Sequence, residues 1–408
     1  MRFGTSVELF SVRGVPMAGN AETGCVVGLT PSGAALCRLI AEGNIAEDQA
    51  RSAEPDLIEA LATRGFFEDP HSGPRLSSAY LHVTQRCNLD CAGCYSLDAQ
   101  RNRTPDPSFE QVRFAIDGLA KCGVRKLAIS GGEPFLRDDL PDIVRYAASD
   151  AGIAQVTVLT NGTCVSAAAA HALAPHVAAV SVSLDGCSPD DPAPIRRAQR
   201  FDTIMEAVST LQEAGIPTSL LPTIHARNVG DIPRYRDLAA RLGAGLSFSL
   251  LSCPAGDADL ADLRPTDESL HELARTLRES NIALHDAPIG AGLTYRRSCE
   301  AGTRLVSIAA DGSVYPCHLL HGAPFFMGNA FEEPLPAIVE RRAGLPSETL
   351  DPRGFEECGD CTYRPFCGGG CRARAINEGR GATAPDPYCT LMRTHYAALM
   401  DDLLEKIG

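Results

Sequence analysis

The sequence predicts an α/β fold organised on a parallel sheet, and three observations predict it. Six apolar, strand-like runs recur at 79–83, 126–130, 155–160, 179–184, 218–223 and 245–251. Helical patterns separate them at 108–121, 140–148, 167–173, 201–214 and 232–242. A chain that alternates strand and helix in this way lays its strands parallel. Polar motifs stand just after several strands, at the C-terminal ends where barrels of such units collect their chemistry. Eleven of the sixteen cysteines fall in or near dense groups, which points to metal rather than to core packing.

The bulk numbers bound the rest. A chain of 408 residues holds two or three domains. Hydrophobic residues at 44% and charged residues at 22% are ordinary for a soluble globular protein. A net charge of −14 argues against a nucleic-acid partner, which needs a basic face. It suits a basic peptide without requiring one. No apolar run reaches the roughly 18 residues of a membrane span, and residues 1–10 lack a signal-peptide pattern. The expectation is a cytoplasmic protein with no membrane partner. Thiols there stay reduced, so the clustered cysteines read as ligands. Cys25, Cys37, Cys122, Cys164 and Cys187 read as ordinary buried or half-buried thiols.

Residues 1–75 form the first expected unit. The runs 7–12 and 24–29 read as short strands. Thr30 and Pro31 supply a cap and an N1 proline for an amphipathic helix through Ala34, Leu36, Leu39 and Ile40, stopped by Gly43. Shorter helices follow at 45–51 and 55–63. Phe66 and Phe67 read as a brief third strand, and His71 to Pro74 as a linker. The runs LTPSGAALCRLIAEG and LIEALATRGFFED resemble the winged-helix-like precursor-peptide recognition element of ribosomal peptide biosynthesis. That resemblance implies a leader peptide added as a strand to an exposed sheet edge. A DNA-binding winged helix is disfavoured, because no basic recognition face is present.

Residues 76–255 carry the strand–helix units. Strand one leads into Cys87-Asn88-Leu89-Asp90-Cys91-Ala92-Gly93-Cys94-Tyr95. Three thiols on one tight loop can hold three irons of a [4Fe–4S] cube and leave the fourth free for a small ligand. Strand two ends in Ser130-Gly131-Gly132-Glu133-Pro134. Its two glycines let the backbone approach a ligand closely, and a carboxylate with free carbonyls suits an ammonium group. Strand three ends in Thr160-Asn161-Gly162 and strand four in Ser183-Leu184-Asp185-Gly186. His225, past strand five, reads as a structural or substrate-facing residue without an assigned role.

The CxxxCxxC loop resembles that of the radical S-adenosylmethionine (SAM) superfamily. The resemblance implies a partial (β/α)6 TIM-type barrel. It implies that SAM chelates the free iron and is split into methionine and a 5′-deoxyadenosyl radical, which takes a hydrogen atom from substrate. It makes Cys87, Cys91 and Cys94 the cluster ligands, with the aromatic Tyr95 beside them. By the same resemblance, Gly131, Gly132, Glu133 and Pro134 bind the methionyl amino group, and Ser130, Thr160 and Asn161 join the cofactor contacts. Ser183 first, then Asp185, is expected near the ribose. Arg196 or Arg197 is expected to neutralise the methionyl carboxylate.

Residues 256–408 hold a second cysteine region. Cys299-x12-Gly312-x4-Cys317 precedes Cys358-x2-Cys361-x5-Cys367-x3-Cys371-x17-Cys389. This nest is denser than separate zinc knuckles need. Gly312 to Cys317 reads as a hairpin that turns Cys317 back toward Cys299. Gly368, Gly369 and Gly370 let the chain wrap a bulky cube. The seven-cysteine spacing resembles the SPASM extension of a radical SAM subgroup. It implies an outer auxiliary cluster on Cys358, Cys361, Cys367 and Cys389, and an inner one on Cys299, Cys317 and Cys371. Two fully ligated cubes need eight thiolates. Either Cys253, after strand six, is the eighth, or the inner cluster keeps an open iron.

The resemblances together imply SAM and three [4Fe–4S] clusters as cofactors. They imply a peptide maturase that installs a C–S or C–C cross-link in a ribosomally made precursor, supplied with electrons by a flavodoxin or ferredoxin. Two other enzyme outcomes share the framework. One is peptide epimerisation, for which Cys187, Cys253 or Tyr295 is a candidate hydrogen-atom donor. The other is formylglycine formation in a sulfatase. A non-catalytic iron–sulfur scaffold for peptides is the reading outside catalysis. No catalytic residue is assigned.

Overall fold

A computed structural model gives the fold and describes residues 1–67, 76–96, 100–280, 282, 284–285, 289–290, 292–341 and 351–407. The expected linker at His71 to Pro74 lies outside the described residues.

The chain opens with a small antiparallel sheet in the order β1 (Val7–Val12), β2 (Val15–Asn20), β3 (Val26–Gly28). Arg13 and Gly14 turn the first hairpin, both at positive φ (51° and 83°), as a two-residue loop between twisted strands requires. The third strand is therefore β2 and not Phe66-Phe67. Pro16 and Gly19 disguised β2, since both are poor strand formers. Phe66 and Phe67 sit in the turn after a helix, where both rings pack on Phe3 at centroid distances of 6.5 and 5.5 Å. Helices α1 (Pro31–Glu42), α2 (Glu47–Ala53) and α3 (Pro55–Ala62) follow. The Thr30 hydroxyl accepts from the Gly33 amide at 3.0 Å, and Gly43 ends α1 at φ 74°. Leu36, Ile40, Ala50 and Ile58 bury between these helices.

The strand–helix units run β4 (Ser78–Thr84), α4 (Phe109–Lys121), β5 (Lys126–Gly131), α5 (Leu140–Arg145), β6 (Gln155–Thr160), α6 (Ala167–Leu173), β7 (Ala179–Leu184), α7 (Phe201–Glu213), β8 (Thr218–Ile224) and α8 (Ile232–Leu242). The expected sixth strand is two short pieces, β9 (Gly245–Leu246) and β10 (Ser249–Leu250), both pairing with β8. The ladder breaks between them opposite Pro222, which has no N–H to give to the Ser247 carbonyl, while the Phe248 carbonyl, on the other edge, accepts from the His285 amide at 2.8 Å. The strands from β4 to β8 are parallel neighbours in sequence order. Their alternation sorts the side chains. Leu81, Val83, Ile129, Val158 and Val182 bury in one core with Val112, Ile116 and Leu119 of α4 and Ile204, Val208 and Leu211 of α7. Each such side chain stabilises the fold by about 1.5–3 kcal/mol. The opposite strand face, with Tyr80, Ser130, Leu159, Ser183 and Thr223, lines a central cavity.

The C-terminal region contains α9 (Ala258–Ala261), α10 (Asp267–Ser280), β11 (Leu305–Ile308), β12 (Ser313–Tyr315), β13 (Gly328–Asn329), α11 (Leu335–Arg341), α12 (Glu356–Gly359), α13 (Arg364–Cys367), α14 (Arg372–Asn377) and α15 (Cys389–Ile407). The expected hairpin is β11–β12, with Gly312 at φ 86°. A side chain there would also strike the Phe331 ring, 2.5 Å from an added Cβ. β11 pairs parallel with β4, so the C-terminal hairpin extends the barrel sheet from its first strand. No helix among the described residues is long and apolar enough to cross a membrane.

Candidate active site and cluster chambers

The C-terminal strand ends enclose a cavity of about 210 Å³ walled in part by Cys87, Cys91 and Cys94. A network missing from the sequence reading shapes that loop. Arg101 reaches Cys94 Sγ at 3.4 Å, Ser96 Oγ at 2.7 Å and the Leu89 carbonyl at 3.4 Å. The Cys87 amide donates to Asn102 Oδ1 at 2.8 Å, and the Ala92 amide to the Ile195 carbonyl at 2.7 Å. Asn161 Nδ2 lies 3.8 Å from Cys87 Sγ. Hydrogen bonds to sulfur of this kind tune a cluster. Burial pushes the Cys91 thiol up to about 11; Arg196 opposes this, and the charged forms of Cys94 and Cys87 add to it.

Of the expected cofactor contacts, Tyr95, Ser130, Gly131, Gly132, Thr160, Asn161, Ser183 and Arg196 line this cavity. Glu133, Pro134 and Asp185 do not, and each has a local reason. Glu133 is fully buried and accepts from the Thr160 hydroxyl (2.7 Å), the Asn161 amide (2.7 Å) and the Phe135 amide (3.0 Å). Its carboxylate ties the ends of β5 and β6 together. Pro134 opens a buried 3-10 turn. Asp185 ion-pairs with the Arg196 guanidinium and accepts from its backbone amide at 2.8 Å. That leaves Arg196 Nε buried without a partner. Arg197 instead points to the surface at φ 59° and pairs with Asp259 at 3.1 Å. The two arginines stand in a turn, since α7 begins only at Phe201.

The two glycines of strand two meet backbone as well as cavity. A Cβ on Gly131 would fall 2.3 Å from the Thr84 carbonyl, and one on Gly132 2.0 Å from that of Arg86. The Gly132 and Glu133 amides donate to these carbonyls at 2.8 Å each. The segment thus fastens the start of the cysteine loop to β5. Free thiols on one loop, a glycine cradle and an unpartnered buried guanidinium nitrogen fit a [4Fe–4S] cluster and the carboxylate of a bound SAM.

A second chamber of about 480 Å³ runs along the inner face of β4–β6 beside Cys299, Cys317, Cys367 and Cys371. Tyr80, Leu159, His285, His318 and Leu319 line both chambers. Sequence reading missed this wall, whose only signal was Tyr80 and His82 alternating inward on β4. The Tyr80 hydroxyl and His285 Nε2 share a hydrogen bond of 3.0 Å, and its ring stacks on His318 at 3.9 Å. His318 Nδ1 lies 3.7 Å from Cys317 Sγ.

The charged forms of Cys371 and Cys299 push Cys317 up further after burial has done so. Cys389 is pushed up to about 11 by burial, and Cys361 and Cys358 add to it. Cys367 is pushed up by burial too, and Cys389, Cys358 and Cys361 add to it. The thiols thus group as 299/317/371 and 358/361/367/389. No three His, Cys, Asp or Glu side chains among the described residues converge tightly enough for a single metal ion; a four-iron cube spaces its ligands more widely.

Cys253 does not join the inner set. It is buried against Cys91, Ala92, Ile195 and Leu260 and lines neither chamber. The three groups considered as hydrogen-atom donors are likewise misplaced, because Cys187, Cys253 and Tyr295 are all absent from the walls of the first cavity. Tyr295 instead bonds Glu8 at 2.6 Å and stacks on Phe10 at 5.4 Å, joining the N-terminal sheet to the C-terminal region. His225 shapes a turn, its amide donating to Asn228 Oδ1 at 2.8 Å. Two buried arginines brace the C-terminal cysteines. Arg374 pairs with Asp386 at 2.8 Å, and Asp386 also accepts from the Cys371 amide at 2.6 Å. Arg372 donates to the carbonyls of Ala382 and Gly369.

Residues 81–239 match the radical SAM superfamily, and residues 299–362 match SPASM, an iron–sulfur cluster-binding domain. The chain belongs to the radical SAM superfamily and is an enzyme of its SPASM-bearing branch. It is 30% identical over 346 residues to an AdoMet-dependent heme synthase of Methanosarcina barkeri, covering 78% of this chain and 97% of that one. It is also 30% identical over 319 residues to the mycofactocin maturase MftC of Mycobacterium tuberculosis, covering 75% and 81%. Its fold is similar to that of Streptococcus suis SuiB bound to precursor peptide SuiA, with a TM-score of 0.60 at 14% identity over 94% of this chain and 98% of that one.

Proposed function

We propose that this enzyme takes a hydrogen atom from a ribosomally made precursor peptide and closes a C–S or C–C cross-link in it. The observation that carries this is the small sheet ahead of the barrel. β3 ends that sheet, and no described strand pairs with its outer side. Such an edge suits strand addition by a leader peptide. Similarity to the peptide-bound SuiB extends over 94% of the chain, and MftC supplies a maturase among the sequence relatives.

SAM bound at the barrel cluster supplies reductive cleavage and the radical that abstracts hydrogen. The chain's residues prepare for this. Cys87, Cys91 and Cys94 offer three thiolates and no fourth. The backbone from Ser130 to Gly132, with Thr160, Asn161 and Ser183, orients the cofactor. Asp185 fixes Arg196, which lines the cavity and would neutralise the methionyl carboxylate. Cys299, Cys317 and Cys371 hold the inner auxiliary cluster, and Cys358, Cys361, Cys367 and Cys389 the outer one. With Cys253 packed elsewhere, the inner set has room for a substrate group, which favours cross-linking over epimerisation. A flavodoxin or ferredoxin is the electron partner.

Reconstituted protein, dithionite and SAM should release 5′-deoxyadenosine. Co-expression with a short peptide encoded nearby should lower that peptide's mass by two hydrogens. An unchanged mass with inverted chirality would replace cross-linking by epimerisation. A second reading is a step of heme synthesis, favoured by the AdoMet-dependent heme synthase relative covered over 97% of its length. Substituting an iron porphyrin for the peptide separates the two.

A further inference from the structure

The barrel floor, remote from the first cavity, opens into a groove of about 1120 Å³. Its walls come from the N-terminal ends of β4–β6, the β2–β3 turn and the segment 294–304. Arg125, Lys126, Arg296, Arg297 and Arg304 line it. The carboxylates in that lining among the described residues are Glu22 and Glu300, and Arg304 holds both, at 2.6 and 4.0 Å. Four cations therefore face the groove without an acidic partner among its described walls. In a chain of net charge −14 this is a patch of reversed sign.

The groove ends at a cysteine. Cys299 lines both the groove and the chamber shared with Cys317 and Cys371. Lys126, Arg296 and Ser298 are common to both linings too. No layer of protein separates the cationic surface from a thiol of the inner set. Electron transfer falls steeply with distance, and a redox partner seated here would lie against Cys299, a thiol of the inner set.

We propose that this groove docks the acidic face of a low-potential, one-electron carrier protein, and that Cys299 is the port through which one electron passes between carrier and inner cluster. No bond forms or breaks; the electron leaving one centre reduces the other. The proposal rests on reading Cys299, Cys317 and Cys371 as cluster ligands. An acidic peptide is the rival occupant. A peptide here would have to reach the first cavity past the inner cluster and the Tyr80–His318 wall, whereas a carrier needs only the cluster's edge. Charge complementarity of this kind raises association rates about 10- to 1000-fold.

The test uses the holoprotein with its clusters in place, and reduced flavodoxin as the probe. Iron content and electron paramagnetic resonance of the parent report first whether the inner cluster exists, independently of any carrier. Fluorescence anisotropy then gives flavodoxin affinity, and stopped-flow absorbance gives the second-order rate of electron transfer. In the double variant Arg125→Glu, Arg297→Glu, at positions that line the groove but not the inner chamber, both should fall about tenfold or more, with a flatter salt dependence. Iron content and dithionite-driven SAM cleavage should stay at parental levels. Neutralising Arg125→Gln, Arg297→Gln at the same exposed positions should give a smaller loss in the same direction. Unchanged carrier kinetics with unchanged salt dependence would overturn the proposal. So would a loss of precursor-peptide binding with carrier kinetics intact.

Discussion

At the scale of single residues, Arg196 shows how a side chain of no evident meaning acquires one. Two adjacent arginines cannot be told apart by sequence. The fold gives Arg196 a buried carboxylate partner and leaves one nitrogen free, while Arg197 goes to the surface. Arg196→Gln should weaken SAM binding by about 1.5–3 kcal/mol, the worth of a charge-assisted hydrogen bond, measured by equilibrium binding to the reconstituted protein. Asp185→Ala should be harsher. It strands a buried cation, and such losses run to about 3–5 kcal/mol in unfolding experiments. Gly131→Ala should drive a Cβ into the Thr84 carbonyl at a φ of 133°, lowering the unfolding temperature and emptying iron from the barrel loop. The cysteines were legible because ligand spacing is local and repetitive. Arg101, Tyr80 and His318 were not, because a lone arginine or histidine carries no pattern until the chain folds around it.

At the scale of elements, helix α14 does most to hold the C-terminal cysteines. It is six residues long and buries two arginines completely. Arg372 caps the carbonyls around the glycine turn, and Arg374 joins Asp386, which also grips the Cys371 amide. Positive charge here offsets the thiolates that gather on either side. Asp386→Ala should therefore cost about 3–5 kcal/mol by chemical unfolding. It should also reduce auxiliary iron while the barrel loop keeps its own. Elements with a strong period were readable in the sequence: β6, β7, α6 and α8 fall where expected. β2 was not, since proline and glycine mask its alternation. The division of the last barrel strand was hidden because it depends on Pro222 of the neighbouring strand, whose missing N–H is felt only once the two strands pair.

At the scale of the whole molecule, the parallel pairing of β11 with β4 decides how the chambers relate. No local signal predicts that pairing, which joins segments more than 220 residues apart. It brings the β11–β12 hairpin, and with it Cys317, against the open side of the barrel. The first cavity, the Tyr80–His318 wall, the inner chamber and the cationic groove then follow in line. On the proposed assignment of the cysteines, such an order would separate radical generation from the auxiliary clusters while keeping them within one protein interior. The separation has a measurable consequence. Replacing Cys87, Cys91 and Cys94 together with Ala removes every thiol of the first cavity's loop but touches no wall of the second chamber. That variant should release no 5′-deoxyadenosine and should retain about two-thirds of the parent's iron, as expected when one of three [4Fe–4S] clusters is lost. Iron and SAM cleavage vanishing together would mean that the C-terminal cysteines cannot hold clusters without the barrel loop, and the two regions would then have to assemble as one.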